Sequence, residues 1–235
     1  MIFGLDLSSP LFWSAFGSIV LANIVLSGDN AVVIAMAART LKPEQRGKAI
    51  FWGSAAAIVM RIILTVVAIQ LLSLPYLKIV GAILLVYIGV DLLKSGDEED
   101  GEGKEINGMM AAIRTILIAD LVMSLDNVLA VAAAAKGNVA LLVLGLLVSI
   151  PLIIFGATLL TKVMERFPII ITIGAALLGF LAGEMLLTDP AVTTRFGAIG
   201  EQTVTFGGMI GAVLVVALGT YLTKRQQKQS RHLSD

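Results

Sequence analysis

The feature that most constrains this chain is a series of seven apolar runs. They cover roughly residues 11–38, 49–73, 76–94, 109–135, 139–162, 168–187 and 204–223, each bounded by charged or turn-forming residues. A helix crosses the hydrocarbon layer of a bilayer with about 20 consecutive apolar residues. Within that layer, backbone polar groups must be satisfied inside the protein, which favours helices. Runs of this length and number predict an all-α, polytopic membrane protein with seven transmembrane helices. The breaks carry turn chemistry: Lys42-Pro43, Leu74-Pro75, Gly137-Asn138, Phe167-Pro168 and Asp189-Pro190. Charged residues make up only 14% of the chain, against roughly 25% in soluble globular proteins. The runs consume most of the 235 residues, so 1–235 reads as a single membrane domain.

The basic residues set an orientation. Arg39, Lys42, Arg46, Lys48, Lys94, Lys104, Arg114, Lys162, Arg166, Lys224, Arg225, Lys228 and Arg231 fall at one set of helix ends, and only Lys78, Lys136 and Arg195 at the other. The positive-inside rule then puts the N-terminus outside and the C-terminus in the cytoplasm, and this segregation requires an odd number of crossings. The first fifteen residues carry no Lys or Arg, only Asp6, so the first helix is expected to remain in the mature protein. A formal net charge of zero gives no bulk attraction for nucleic acid, and the absence of cysteine removes disulfides and thiolate metal sites. His232, the only histidine, lies in the polar tail.

Two stretches match when laid 97 residues apart. Asn23 to Thr40 reads NIVLSGDNAVVIAMAART and Asp120 to Gly137 reads DLVMSLDNVLAVAAAAKG, identical at seven of eighteen positions, including Ser27/Ser124, Asp29/Asp126 and Asn30/Asn127. A second match, at offset 93, aligns GAILLVYIGVD, ending on Asp91, with GAALLGFLAGE, ending on Glu184. The unit is three helices. Repeat one covers about 11–94 and repeat two about 109–187, followed by an extra helix at about 204–223 and a basic cytoplasmic tail, 224–235. Between the repeats, the acidic cytoplasmic loop 95–108 reads as a solvated connector. Three crossings per unit invert the second copy in the bilayer, a 3+3 arrangement suited to alternating access around a midplane site.

Ionisable groups at the centre of a membrane helix cost at least about 2.5–3.5 kcal/mol each, so they need partners. The apolar runs hold five acids, Asp29, Asp91, Asp120, Asp126 and Glu184, against one internal base, Arg61. Protons or bound cations must balance that excess. Asp29 and Asp126 bring carboxylate oxygens, Asn30 and Asn127 amide oxygens, and Ser27 and Ser124 hydroxyls. Asn23, Ser27 and Asn30 fall at i, i+4 and i+7 on one helix face, as do Asp120, Ser124 and Asn127. Gly28 permits close backbone approach or local unwinding. An all-oxygen donor set suits Mg²⁺, Ca²⁺ or Mn²⁺. Met36 and Met123 lie near the motifs, where a thioether either packs or favours manganese. Asp91 and Glu184 either line a path or reach the headgroups. Arg61 reads as a counter-ion or a substrate contact, and Asp120, whose counterpart Asn23 is uncharged, as a ligand or a group behind one.

The paired segments LSGDNAVVIA and SLDNVLAVA, in two inverted three-helix copies, resemble the TerC family of bacterial membrane proteins, in particular its short, YjbE-like members, which are related to the LysE superfamily. The resemblance covers nearly the whole chain. It implies a seven-helix transporter of the bacterial cytoplasmic membrane that exports Mn²⁺ as substrate, with no prosthetic group, and helps metallate secreted proteins. The family's intramembrane acids fall on Asp29, Asp126, Asp91 and Glu184. Gly28 in the first copy stands against Leu125 in the second, so the two half-sites need not be equivalent.

Partners expected are a divalent metal cation, the lipid bilayer, and either a second copy of the chain or a secretion or metalation partner, with no nucleic acid. Two alternatives are a LysE-like exporter of another small substrate and a non-transporting subunit that docks a metalation or secretion partner. An intramembrane aspartyl protease is disfavoured, because that chemistry needs no flanking Ser and Asn, and no Tyr precedes either aspartate. No GxxxxGK[ST] pattern is present, so the chain does not supply ATP hydrolysis. The sequence therefore reads as a transporter and not an enzyme.

Overall fold

The computed structural model describes residues 10–26, 28–72, 74–94, 105–134 and 139–234. These residues form helices and no strands: α1 (Pro10–Leu26), α2 (Gly28–Arg39), α3 (Pro43–Leu72), α4 (Leu77–Lys94), α5 (Glu105–Ala134), α6 (Val139–Arg166), α7 (Ile169–Leu187), α8 (Pro190–Phe196) and α9 (Glu201–Ser234). Among the described residues, five helices contain a stretch long and apolar enough to cross a membrane: Pro43–Thr65, Gly108–Leu125, Val143–Arg166, Ile169–Leu187 and Glu201–Gln226. The other two expected crossings differ for physical reasons. The first is shared between α1, of 17 residues, and α2, of 12. The third, α4, carries Lys78, Asp91 and Lys94 within its 18 residues. Two features were not anticipated: the short α8, and the continuation of α9 through the stretch expected as a tail.

Burial is organised as in a protein solvated by lipid. One core joins Ile34 and Met36 of α2, Leu85 and Ile88 of α4, Ile116 and Met123 of α5, and Leu178 and Met185 of α7. Large apolar side chains point outward on α4, α6, α7 and α9, among them Tyr87, Phe155, Ile173 and Val213. Acyl chains are as apolar as leucine, so helix association relies on close packing, and small residues sit at the contacts. On α7 and α9 they occur in register. A Cβ on Gly179 or Gly183 would collide with the carbonyl oxygens of Gly211 and Gly207 respectively. Gly81 of α4 is covered by Val122 of α5 and Met185 of α7, while Gly89 meets Leu178 and Val215. The α4–α7 pair is therefore antiparallel.

Opposite ends of the bundle are tied by different chemistry. At one end, Arg39 Nη2 donates to the Leu92 carbonyl at 2.8 Å, and Arg46 donates to the Leu41 carbonyl at 2.9 Å while pairing with Glu165. At the other end, Asp189 is buried at the start of α8. Its carboxylate accepts the N–H groups of Ala191 (2.7 Å), Tyr76 (2.9 Å), Lys78 (3.0 Å) and Ile79 (3.2 Å). Tyr76 has φ 70°, a left-handed conformation that non-glycine residues adopt only when their surroundings hold them there. Asp189 thus caps α8 and fixes the turn that starts α4.

Candidate functional site

The site is built where α3 meets α5. At Gly53 of α3 the missing side chain admits Ile116 of α5, whose Cδ1 lies 2.9 Å from where a Cβ would stand. Two turns further along both helices, which run parallel here, Arg61 comes level with Asp120 and Ser124. Asp120 and Ser124 are four residues apart and so share one face of α5. Arg61 Nε donates to Ser124 Oγ at 3.0 Å, its Nη2 pairs with Asp120 Oδ1, and Ser124 Oγ donates to Asp120 Oδ2 at 3.2 Å. All three are deeply buried, at 3%, 6% and 0% exposure for Arg61, Asp120 and Ser124. The guanidinium thus spans the Asp120 carboxylate and the Ser124 hydroxyl, and the charge-assisted pair compensates two buried charges that would be costly alone.

Asp29 joins this cluster from a third helix. It stands half-buried in the first turn of α2, within electrostatic reach of both Arg61 and Asp120. The N–H of Asn30 donates to Asp29 Oδ1 at 2.8 Å. The Asn30 side chain is 2% exposed, yet neither its Oδ1 nor its Nδ2 has a hydrogen-bond partner. A buried amide left in that condition costs about 1–3 kcal/mol for each unsatisfied group. Ser54, seven residues before Arg61 on α3, has a buried Oγ with the same deficit.

The structure thus brings together Asp29, Asn30, Arg61, Asp120 and Ser124. Ser27 and the side chains of Asn23, Asp126 and Asn127 lie outside the described residues; Leu125 separates Asp126 from Ser124 along α5. Asp91 and Glu184 do not meet each other. Gly81 is level with Met185, and Asp91 lies ten residues beyond Gly81 along α4, so about 15 Å of helix axis separates the two acids. Met36 and Met123 are core residues; the Met36 sulfur packs 2.6 Å from the Cβ position of Gly174. Among the described residues no three acids or histidines are grouped to hold a metal ion.

Sequence reasoning passed over Asp189, read only as punctuation, and Ser54. The Asp-Pro pair does signal the start of α8, since aspartate favours the cap and proline the first turn. It carries no signal for the contact with Tyr76, more than a hundred residues away. Burial pushes the Asp189 carboxyl up, but the N–H groups of Tyr76, Ala191, Ile79 and Lys78 outweigh it and hold the group below its ordinary value of 3.8.

The model of the integral membrane protein TerC family matches residues 8–228. The chain belongs to the TerC family. It is similar to the membrane protein YjbE of Bacillus subtilis, with 46% identity over 73% of this chain and 78% of that protein. Bacillus subtilis YceF is 26% identical over 96% of this chain and 89% of its own length. The Escherichia coli inner membrane protein YoaE is 24% identical over 71% of this chain, which spans 36% of that longer protein. No solved structure matches this TerC protein. It is a multi-pass integral membrane protein with bacterial relatives, and the buried cluster described above lies within the matched region.

Proposed function

We propose that this TerC protein is a secondary transporter that exports a divalent cation, Mn²⁺ foremost, through a midplane site formed by the duplicated Asp-Asn motifs. Asp29 and Asn30 supply one half-site, and Asp126 and Asn127 the other. The observation that carries this reading is the orphaned amide of Asn30 beside Asp29, at the edge of the paired and buried Arg61, Asp120 and Ser124. A hard cation takes oxygen ligands from a carboxylate and an amide carbonyl and would satisfy that amide's oxygen. Manganese rests on the all-oxygen donor set and on the family resemblance.

The architecture behind the reading is seven crossings in a 3+3 inverted repeat plus α9. Two kinds of packing support it. Arg39, Leu92, Arg46 and Glu165 gather at one end, and Tyr76, Lys78 and Asp189 at the other, as alternating crossings require. Exchanging the two halves also maps contacts onto contacts: α3 against α5 corresponds to α2 against α6, and α4 against α5 to α2 against α7. The basic end faces the cytoplasm of a bacterial plasma membrane, with the N-terminus outside.

Mn²⁺ flux into proteoliposomes tests the reading. Asp29→Asn and Asp126→Asn are each expected to abolish flux in folded protein. Folded wild type that carries no Mn²⁺, or flux untouched by both substitutions, would remove the site.

A further inference from the structure

We infer that Ser54 of α3 is a further oxygen ligand of the cation site, closing it beside Asp29 and Asn30. The inference rests on the transport reading above and deepens it, because it brings in a helix that the duplicated motifs do not contain.

A hydroxyl inside a membrane helix has a ready partner in the carbonyl four residues earlier. Thr65 of α3 takes it, donating to the Arg61 carbonyl at 2.7 Å. Ser149, Thr158 and Thr161 of α6 do the same at 2.9, 2.7 and 2.8 Å. Ser54 does not. It is 1% exposed, and its Oγ has no hydrogen-bond partner. A polar group in that state destabilises the fold unless something binds it.

Its position gives the hydroxyl a common destination with Asn30. Ser54, Ala57, Ile58 and Arg61 fall at i, i+3, i+4 and i+7, and all four are buried, so they share one inward stripe of α3. That stripe faces the buried cluster, since Arg61 bonds Ser124 and Asp120 from it and lies within electrostatic reach of Asp29. The chain turns tightly between α2 and α3, where Arg46 donates to the Leu41 and Arg39 carbonyls. Asn30 stands nine residues before Arg39, the last of α2, and Ser54 eleven residues after Pro43, the first of α3. At 1.5 Å per residue both lie about 14–17 Å from that turn, at one level of the bundle. Two orphaned polar side chains thus stand on neighbouring helices at the same depth. A serine hydroxyl gives a hard cation a lone pair without adding charge, which leaves the charge to the carboxylates.

Equilibrium Mn²⁺ binding to the purified full chain tests this, with wild type, Ser54→Ala, Ser54→Thr and Ser54→Cys compared. The fold of each is checked by circular dichroism and monodisperse elution. Ser54→Ala is expected to lose about tenfold in Mn²⁺ affinity, the scale of one polar contact to a charged group. Ser54→Thr keeps the oxygen and is expected to retain the affinity. The chain has no cysteine, so Ser54→Cys introduces a single thiol, and thiolates select soft ions. Cd²⁺ is expected to displace Mn²⁺ from this variant at about tenfold lower concentration than from wild type. The charge-transfer absorption of a cadmium–thiolate bond should rise over the same range, a signature that a merely structural serine would not give. Unchanged Mn²⁺ affinity in folded Ser54→Ala, the result for a hydroxyl satisfied by water, overturns the inference. So does a thiolate absorption that rises while Mn²⁺ stays bound, or Cd²⁺ competition no stronger than in wild type. If Ser54→Ala fails to fold, the cadmium competition decides. Wild type that binds Mn²⁺ and loses it in Asp29→Asn, with no response to any change at position 54, sinks this inference alone. Folded wild type that binds no Mn²⁺ sinks it together with the transport reading.

Discussion

Two aspartates stand at helix starts in this protein, and their surroundings differ completely. Asp189, ahead of α8, is wrapped by four backbone N–H groups from two segments far apart in sequence. Asp29, in the first turn of α2, takes the N–H of Asn30, whose own buried side chain has no partner at all. Both are aspartates at the start of a helix, one as its cap and one in its first turn, and residue type alone does not decide the role. What separates them is whether the fold supplies enough donors and acceptors to close the account. A closed site stabilises the protein as it stands, and an open one costs stability that a ligand recovers.

The strongest way to break this comparison is to remove the closed site. Asp189→Ala leaves four N–H groups unsatisfied and frees Tyr76 from its left-handed turn. A loss of about 4 kcal/mol is expected. Thermal or denaturant unfolding in detergent measures it, and the additional stabilisation by Mn²⁺ should survive in whatever fraction folds. If Asp189→Ala removed the Mn²⁺ response and left stability intact, the roles assigned to the two aspartates would be reversed.

The open site predicts a change of opposite sign. Asn30→Leu replaces an orphaned amide by an apolar group of similar volume. Cation-free protein is expected to gain about 1–2 kcal/mol, while the rise in Tm on adding Mn²⁺ disappears. A variant that is less stable than wild type without metal would show that the amide already contributes to the fold.

The parts of this protein that were legible in sequence are those that repeat or run on. Apolar runs located the helices, and the doubled Ser-x-Asp-Asn pattern marked Asp29 and Ser124 as polar groups at depth. The pairing of acids was not legible. Five acids and one arginine leave many partners open, and the choice of Asp120 for Arg61 depends on the depth at which α3 and α5 approach, fixed by Gly53 against Ile116. Asp91 and Glu184 end matching segments, yet antiparallel packing of α4 on α7 sets them apart. Asp189 was missed for a related reason: its local signal is a helix cap, and its larger contribution lies in a turn reached only through the fold.

The smallest expected effect sharpens the closed site further, through its protons. The Asp189 carboxyl is held below its ordinary value of 3.8 in the folded protein, so on acidification the unfolded chain takes up this proton first. The carboxylate's contribution is therefore complete well above pH 3.8 and is lost as the pH falls through the lower folded value. Other acids titrate in the same window, which makes the raw stability curve uninformative. The difference between wild type and Asp189→Asn isolates this group, because asparagine keeps an acceptor oxygen but never carries charge. The difference in unfolding free energy should be flat from neutral pH to about pH 5 and should shrink below pH 3.8. A difference that stayed constant to the lowest pH would mean that the four N–H groups bind the asparagine as well as the carboxylate. The clamp would then be one of shape, and charge would not distinguish Asp189 from Asp29.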